Sequence, residues 1–224
     1  MPNHVRNIVT INGSAEHIKE FKLKHINAYK YIEEDSSVEI CPFSFQTIIP
    51  RPESLDIESS TRAMDGLDYV LGDEAKKKQI RSRFWRMDDE EFNKIVELGK
   101  TAKRNLELYD AKDWYDWDID NWGTKWDCYD VELKTLDDTE VVIVFNTAWS
   151  CPEPVYGELA RLHPDLSIQV EYADEDLGNN CGVKIYEGGC QTDEWYCDRD
   201  FACELWGYRP EEGETEKEED DEEL

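Results

Sequence analysis

The stretch that decides the fold is residues 126–162, with the sequence WDCYDVELKTLDDTEVVIVFNTAWSCPEPVYGELARL. From Trp122 the hydrophobic period changes to two, and residues 126–133 and 141–149 predict two β-strands. Ser150 is followed three residues later by Glu153, a spacing that matches a capping box and predicts the start of a helix. The stretch therefore predicts a β-β-α unit.

Further elements extend this unit in both directions. Residues 166–172 and 183–186 are short apolar runs that predict two more strands after the helix. Near the start of the chain, residues 5–12 predict a strand that a helix follows, and residues 43–49 predict another strand closed by prolines. The element order is β-α-β and then β-β-α-β-β, so we predict an α+β fold with helices on one face of an antiparallel sheet.

The rest of the chain predicts a helical insertion and a tail. Residues 73–108 have helical spacing with a break near Asp88, which can cap a second helix, whereas residues 53–70 show no clean period and predict a loop. The last residues are too acidic to bury a core, which predicts a disordered tail. We therefore divide the chain into an N-terminal α+β region with the helical insertion (1–108), an acidic domain (109–209) and the disordered acidic tail (210–224).

Charge is unevenly distributed along the chain. Its 224 residues include 53 acidic and 25 basic side chains, for a net charge of −28. Residues 1–104 carry 18 acidic and 17 basic side chains, whereas residues 105–224 carry 35 and 8. Such a field repels nucleic acid and attracts basic proteins, and by the charge spacing of duplex DNA 28 charges correspond to about 48 Å of duplex. We expect a basic nucleic-acid-binding protein as the partner, with solubility alone as the alternative.

Several classes of function are not indicated. The sequence has no run of about 18 apolar residues, and its first residues lack the apolar core of a signal peptide, so we expect a cytoplasmic protein with no membrane partner. Seven cysteines with irregular spacing predict free thiols. A glycine-rich phosphate loop and a nucleophile elbow are missing, and the four histidines are scattered. We therefore predict no catalytic residues, no cofactor and no enzymatic activity.

Three lines of acidic residues are the candidate partner-binding site. In residues 113–122, aspartates alternate with aromatic and aliphatic residues, and in an extended conformation this places a carboxylate about every 6.6 Å on one face. The phosphates of one DNA strand recur every 3.4 Å or so, hence several such rows would approach their density. The candidate phosphate surrogates are Asp116, Asp118, Asp120, Asp174, Glu175, Asp176, Asp193, Glu194, Asp198 and Asp200.

A metal site is an alternative use of the same regions. Four aspartates loosely have the spacing of a calcium loop, although its sixth position lacks glycine and its twelfth lacks glutamate; they are Asp116, Asp118, Asp120 and Asp127. Four cysteines are candidate zinc ligands, although no two of them are as close as in the usual zinc sites; they are Cys181, Cys190, Cys197 and Cys203. Both hypotheses would fit a carboxylate- or metal-dependent enzyme.

A tryptophan-rich block at residues 121–127, NWGTKWD, is the most specific motif in the chain. Together with other residues it resembles the YubB-like (Api-type) family of phage- and plasmid-borne proteins. The other matching residues are Met1, Pro2, Asn3, His4, Val5, Ile48, Ile49, Pro50, Pro52, Phe145, Thr147, Ala148, Trp149, Ser150, Pro152, Pro154, Tyr172, Ala173, Asp174 and Glu175. The resemblance implies that residues 109–209 form a ferredoxin-like domain, and it implies no activity.

Mobile elements often use small acidic proteins against host defence. We therefore predict a phage- or plasmid-encoded counter-defence protein in the cytoplasm of a bacterial host cell. It would inhibit a nucleic-acid-binding effector, of the CRISPR or restriction type, by acidic mimicry of nucleic acid. Besides the enzyme hypothesis, the alternative is a scaffold that binds its partner through exposed aromatic side chains, for which Trp195, Tyr196 and Phe201 are candidates.

Overall fold

The structure, a computed structural model, describes residues 3–26, 28–32 and 37–208, and for residues 28–32 and 37–41 it describes the backbone only. The predicted disordered tail, residues 210–224, lies outside the described residues. The strands in the described part of the chain are β1 (His4–Asn12), β2 (Ala28–Ile32), β3 (Ser37–Cys41), β4 (Tyr129–Leu136), β5 (Glu140–Ala148), β6 (Ser167–Asp174), β7 (Cys181–Glu187) and β8 (Cys190–Tyr196). The α-helices there are α1 (Ala15–His25), α2 (Thr61–Leu71), α3 (Glu74–Arg83), α4 (Asp89–Tyr109), α5 (Trp114–Trp122), α6 (Glu153–Leu162) and α7 (Arg199–Trp206).

Six strands form one antiparallel sheet in the order β4-β5-β1-β6-β7-β8, and β2 pairs with β3 in a separate hairpin. Within the large sheet, β1, α1, β4, β5, α6 and β6 follow one another in the β-α-β-β-α-β order of a ferredoxin-like fold. Strands β7 and β8 extend the sheet beyond β6. The predicted α+β fold with an antiparallel sheet and a ferredoxin-like part is confirmed.

Strand β1 shows why the sheet holds together. Its side chains alternate between buried and partly exposed, and Val5, Val9 and Ile11 belong to the main hydrophobic core. Helix α1 contributes Phe21 to the same core, and α6 contributes Leu159. Full burial of one such side chain stabilises a protein by roughly 1.5 to 3 kcal/mol. The first strand of the chain is therefore an inner strand of the sheet that contributes several side chains to the main core.

This arrangement corrects the predicted domain boundary between residues 108 and 109. Strand β1 lies between β5 and β6, and α1 packs on the same core as α6. Residues 4–25 thus complete the ferredoxin-like unit, and the segment between α1 and β4 is inserted into it. One core spans both predicted regions.

The opposite face of the sheet carries a helix that the sequence did not predict. Helix α7 packs Ala202 and Leu205 against Ala173 and Cys181, which are neighbours on β6 and β7. Strand β8, also not predicted, is exposed along its whole length. The prediction of helices on one face holds for α1 and α6, whereas α7 covers part of the other face.

Two local predictions near the insertion are wrong. Residues 43–49 do not form a strand, because Phe45–Thr47 is a 3-10 helix whose N-cap, Ser44, accepts a hydrogen bond from the Gln46 N–H at 3.2 Å. Residues 53–70 are not a loop throughout, because α2 begins after Ser60, whose hydroxyl accepts from the Ala63 N–H at 3.3 Å.

Two predicted helix caps have opposite outcomes. Asp88 caps α4 as predicted and forms a complete capping box with Glu91. The capping box predicted for Ser150 and Glu153 is wrong, because α6 has Pro152 as its N-cap and Ser150 instead donates its hydroxyl to the Gly123 carbonyl.

None of the helices in the described part of the chain combines the length and the apolar character that a bilayer crossing requires.

Two buried histidines join α1 to the segment after α6. Nε2 of His25 and Nε2 of His163 lie 2.9 Å apart, and Nδ1 of His25 lies 2.9 Å from the Thr47 hydroxyl oxygen. Burial, and then the charge of His163, lowers the pKa of His25 to about 4. Burial also lowers the pKa of His163. Neutral imidazoles are therefore the native form of this pair.

We expect this pair to make stability fall as the pH decreases from 6.5 towards 4.5. The unfolded chain binds a proton at His25 more tightly than the folded chain does, which removes roughly 2 to 3 kcal/mol of unfolding free energy across this window. Urea unfolding at several pH values measures the slope in the wild type, in His25→Gln and in the control His17→Gln. The slope should be shallower in His25→Gln alone, and equal slopes in all three would contradict the prediction.

Candidate functional site

A pocket of about 740 Å³ opens where the insertion meets the start of β4. Its walls come from residues 44–56, which contain the 3-10 helices Phe45–Thr47 and Glu53–Leu55, from α5 and from the first residues of β1 and β4. The aromatic side chains that line it are Trp114, Trp122, Trp126 and Tyr129. We call this cavity the tryptophan pocket, and its size lies in the range of ligand-binding sites.

An arginine–aspartate pair forms the floor of the tryptophan pocket. Nη1 of Arg51 donates to both carboxylate oxygens of Asp118, at 2.7 and 2.9 Å, and the guanidinium carbon lies 5.5 Å from the centre of the Trp122 ring. Asp118 is fully buried. Burial raises the pKa of Asp118 to about 7, against the opposing effect of Arg51. The charge of Arg51 is thus partly or wholly neutralised within the pocket.

A second carboxylate fixes the wall formed by the 3-10 helix Phe45–Thr47 and the start of β4. Oδ1 of Asp127 accepts from the backbone N–H groups of Phe45 and Cys128, both at 2.8 Å, and Oδ2 accepts from the Ser44 hydroxyl at 2.6 Å. These bonds hold the 3-10 helix next to the start of β4. Three donors on one carboxylate also fix its orientation before any ligand arrives.

The rim of the tryptophan pocket is built by β1 and β4. Nδ1 of His4 lies 2.5 Å from the Tyr129 hydroxyl oxygen, and the Tyr129 hydroxyl donates to the Thr147 carbonyl at 3.2 Å. Trp126 is half-buried beside Tyr129, with the two ring centres 6.4 Å apart. The backbone N–H of His4 donates to Glu175 at 3.0 Å. The rim therefore adjoins the turn after β6, where one of the predicted acidic lines lies.

The extended conformation predicted for residues 113–122 is wrong. They form α5, and Asp113 caps this helix by accepting from the N–H groups of Tyr115 and Asp116, at 3.0 and 3.3 Å. An α-helix turns by about 100° per residue, hence residues two apart point to different sides. The aspartates of this segment therefore do not form a row of phosphate surrogates.

Each of these aspartates has its own surroundings. Asp116 pairs with Lys112, Asp118 is buried against Arg51, and Asp120 is exposed. The surface role predicted for Asp118 is consequently wrong. The hypothesis that these residues form a calcium loop is also wrong, because they lie in the helix α5.

Some of the other predicted surrogates bind groups within the protein, and the rest are exposed. Asp174 is buried and accepts from Asn3 at 3.2 Å and from Asn180 at 3.3 Å, so its predicted surface role is wrong. Glu194 forms a salt bridge with the ammonium group of Lys184, at 2.5 Å. Besides Glu194, the exposed predicted surrogates are Asp120, Glu175, Asp176, Asp193, Asp198 and Asp200.

Four of the exposed carboxylates lie at one end of the sheet. A Cβ atom at Gly178 would lie 3.1 Å from Cβ of Arg199, so the turn between β6 and β7 lies against the start of α7. Asp198 caps α7 by accepting from the Phe201 N–H at 3.1 Å. We call this surface the acidic end, and its residues are Glu175, Asp176, Asp198 and Asp200. Through Glu175 and His4 it borders the tryptophan pocket.

A buried lysine ties the edge strand to α6. Lys184 on β7 is 1% exposed, and its ammonium group lies 2.8 Å from Glu153 and 2.5 Å from Glu194. Burial alone would lower its pKa, but the hydrogen bonds to both carboxylates raise the pKa of Lys184 above its ordinary value. Glu194 is thus a partner of Lys184 within the protein.

The cysteines of the zinc hypothesis are free thiols. Cys190 is exposed and Cys203 is buried, and Sγ of Cys181 donates to the Cys197 carbonyl at 3.1 Å. Burial raises the pKa of Cys181 and of Cys197. Within the residues that the structure describes, no three histidine, cysteine, aspartate or glutamate side chains are arranged to hold a metal ion.

Sequence reasoning missed most of the tryptophan pocket. Arg51 and Asp118 are 67 residues apart, and no local pattern indicates that they pair. The block at residues 121–127 was the available signal, because it supplies Trp122, Trp126 and Asp127 to the pocket.

Comparison with known proteins points to the same part of the chain. Residues 121–223 match the family model described as the ferredoxin-like domain in Api92-like protein. This part of the chain is similar to an Api92-like domain. A crystal structure of the protein api92 from Yersinia pseudotuberculosis has a TM-score of 0.46 and 12% sequence identity, covering 88% of this chain and 98% of api92. Comparison with curated protein sequences gave no match.

Proposed function

We propose that this chain is a binding protein that acts in counter-defence: encoded by a phage or plasmid, it inhibits a nucleic-acid-binding defence effector of a bacterial host. It does so in the cytoplasm, by presenting carboxylates where the effector accepts phosphates. The observation that carries the proposal is the acidic end, where exposed carboxylates of the β6–β7 turn lie beside those at the start of α7. A net charge of −28 steers basic surfaces towards the protein over longer range.

Exposed aromatic side chains next to the acidic end favour direct protein contact. Tyr196 is 80% exposed and Trp195 is 46% exposed, and both end the edge strand β8 just before Asp198. Aromatic residues of this kind often dominate binding energy in protein interfaces. They support the scaffold hypothesis as a second candidate, which differs from mimicry because apolar contacts persist at salt concentrations that screen exposed charges.

The first experiment is a pull-down from bacterial lysate with the tagged full chain, with and without excess duplex DNA. Mimicry requires that a basic nucleic-acid-binding protein is retained and that DNA displaces it. A partner that duplex DNA leaves in place would favour the scaffold. If the tagged protein retains no basic protein, the mimicry proposal is wrong.

Reversal of exposed charges tests whether two carboxylates of the acidic end, together with Asp193 on strand β8, bind the partner. We expect the triple variant Asp176→Lys, Asp193→Lys and Asp200→Lys to bind the retained partner about tenfold more weakly or worse, since it replaces three attractions by repulsions. Its affinity should also depend less on salt. The control reverses three exposed acids elsewhere and changes the net charge equally; its substitutions are Glu16→Lys, Glu58→Lys and Glu90→Lys. Equal losses in both variants would show that only total charge matters.

A further inference from the structure

With His4 neutral, the tryptophan pocket has a net negative charge whether or not its buried aspartate is ionised. Arg51 is the positive charge at its floor, and Asp118 opposes it. Asp56 and Asp127 also line the pocket, and Asp56 makes only a long contact of 3.5 Å with Arg51. Even with Asp118 neutral, two carboxylates therefore outweigh one guanidinium. Such a site repels anions and attracts cations.

The walls of the pocket suit an organic cation. The faces of tryptophan and tyrosine rings attract ammonium and guanidinium groups. Trp114, Trp126 and Tyr129 line the pocket, and each is only partly buried. A cation that enters can thus contact ring faces and a carboxylate together.

One cation of the chain already contacts an aromatic ring of the pocket. Nζ of Lys125 lies 4.5 Å from the ring centre of Trp126, 5.2 Å from that of Trp149 and 6.0 Å from that of Tyr115. Trp126 thus contacts a cation of its own chain while it also lines the pocket. This internal contact shows that the ring of Trp126 accepts a positive group.

Asp127 supplies a preorganised acceptor. Oδ1 accepts two backbone N–H groups, whereas Oδ2 accepts one hydroxyl, that of Ser44. A carboxylate oxygen has two lone pairs, so Oδ2 can accept one more donor. Because its bonds within the protein fix this carboxylate, little ordering is needed when a ligand binds.

We propose that the tryptophan pocket binds the guanidinium group of an arginine side chain from a basic polypeptide. The group would stack on the aromatic walls and donate to Asp127. The identity of the occupant rests on the proposed function: a basic partner on the acidic end lies next to the rim, where Glu175 accepts the His4 N–H. The pocket anchors one arginine, and the acidic end attracts the surrounding positive charge.

Titration of the full chain with arginine methyl ester tests the pocket without any partner. Citrulline methyl ester is the matched neutral probe, and indole N–H signals in NMR spectra report binding. We expect saturation by the arginine ester at about 1 to 10 mM, the affinity of a few weak contacts, and at least tenfold weaker binding of the citrulline ester. Equal binding of the two esters, or no saturation by either, would overturn the proposal.

Variants locate the binding site. Trp126→Leu and Trp114→Leu should each weaken arginine ester binding at least tenfold, whereas Trp85→Leu, which replaces a 71% exposed ring in the helical insertion, should leave it unchanged. Unchanged binding in both pocket variants would overturn the assignment. Ester binding by a chain that retains no basic protein would overturn the proposed function alone, and a retained partner with no ester binding would overturn the pocket alone.

Discussion

Replacement of Arg51 by methionine is expected to lower the free energy of unfolding by about 3 kcal/mol or more at pH 8. Methionine keeps an apolar side chain over the Trp122 ring but removes both hydrogen bonds to Asp118. The buried carboxylate is then left without its cation, and removal of one partner of a buried ion pair is strongly destabilising. Urea unfolding of the wild type and of Arg51→Met measures the difference.

The pH dependence of this loss distinguishes charge from packing. Asp118 has a pKa raised to about 7 in the folded protein, so its charged form destabilises the fold as the pH rises through 7. Without Arg51 the pKa rises further, hence the difference between Arg51→Met and the wild type should widen from pH 6 to pH 8.5. The double variant Arg51→Met with Asp118→Asn should recover at least half of the loss at pH 8. A loss that is the same at every pH and unrelieved by Asp118→Asn would contradict the prediction.

Strong periodicity made much of the ferredoxin-like unit predictable. Strand β1 alternates buried and partly exposed side chains, and α6 presents Val155 and Leu159 to the core at helical spacing. These elements are buried on one side only, and one-sided burial is what a sequence pattern records. The inclusion of β1 in the centre of the sheet is a long-range pairing, which a local pattern does not record.

Elements without one-sided burial were missed. All the side chains of β8 are exposed, so the strand is fixed by its hydrogen bonds to β7 and by the contact between Glu194 and Lys184. The apolar run at residues 43–49 was taken for a strand, yet Phe43 and Phe45 are buried around a 3-10 helix that Asp127 holds. A short apolar run indicates burial and leaves the backbone conformation open.

The candidate site, like the fold, was only partly predictable from the sequence. Carboxylate density in the second half of the chain is a property of composition, and exposed acidic residues at one end of the sheet could be expected from it. Whether an individual carboxylate is exposed depends on its tertiary partner, as Arg51 is for Asp118. The tryptophan pocket depends on such partners throughout, so sequence reasoning identified only the block at residues 121–127.

The crossing of α2 and α4 is the second place where a single substitution should have a large effect. We expect Gly99→Ala to lower the free energy of unfolding by about 2 to 4 kcal/mol. A Cβ atom at Gly99 would overlap the backbone carbonyl of Gly66, and one at Gly66 would overlap the Ile95 carbonyl. Because backbone atoms cannot give way as side chains do, the two helices must separate. Urea unfolding measures the loss in stability.

The control for Gly99→Ala is the same substitution in another helix. Gly157 lies inside α6, and a Cβ atom there would meet nothing within 4 Å. Gly157→Ala should therefore stabilise the protein by about 0.5 to 1 kcal/mol, since alanine favours the helical conformation more than glycine does. Hydrogen exchange should show a larger loss of protection in α2 and α4 of Gly99→Ala than in β1 and β5, because the α2–α4 contact lies outside the main core. If Gly99→Ala were as stable as Gly157→Ala, the two helices would not cross as closely as the structure shows.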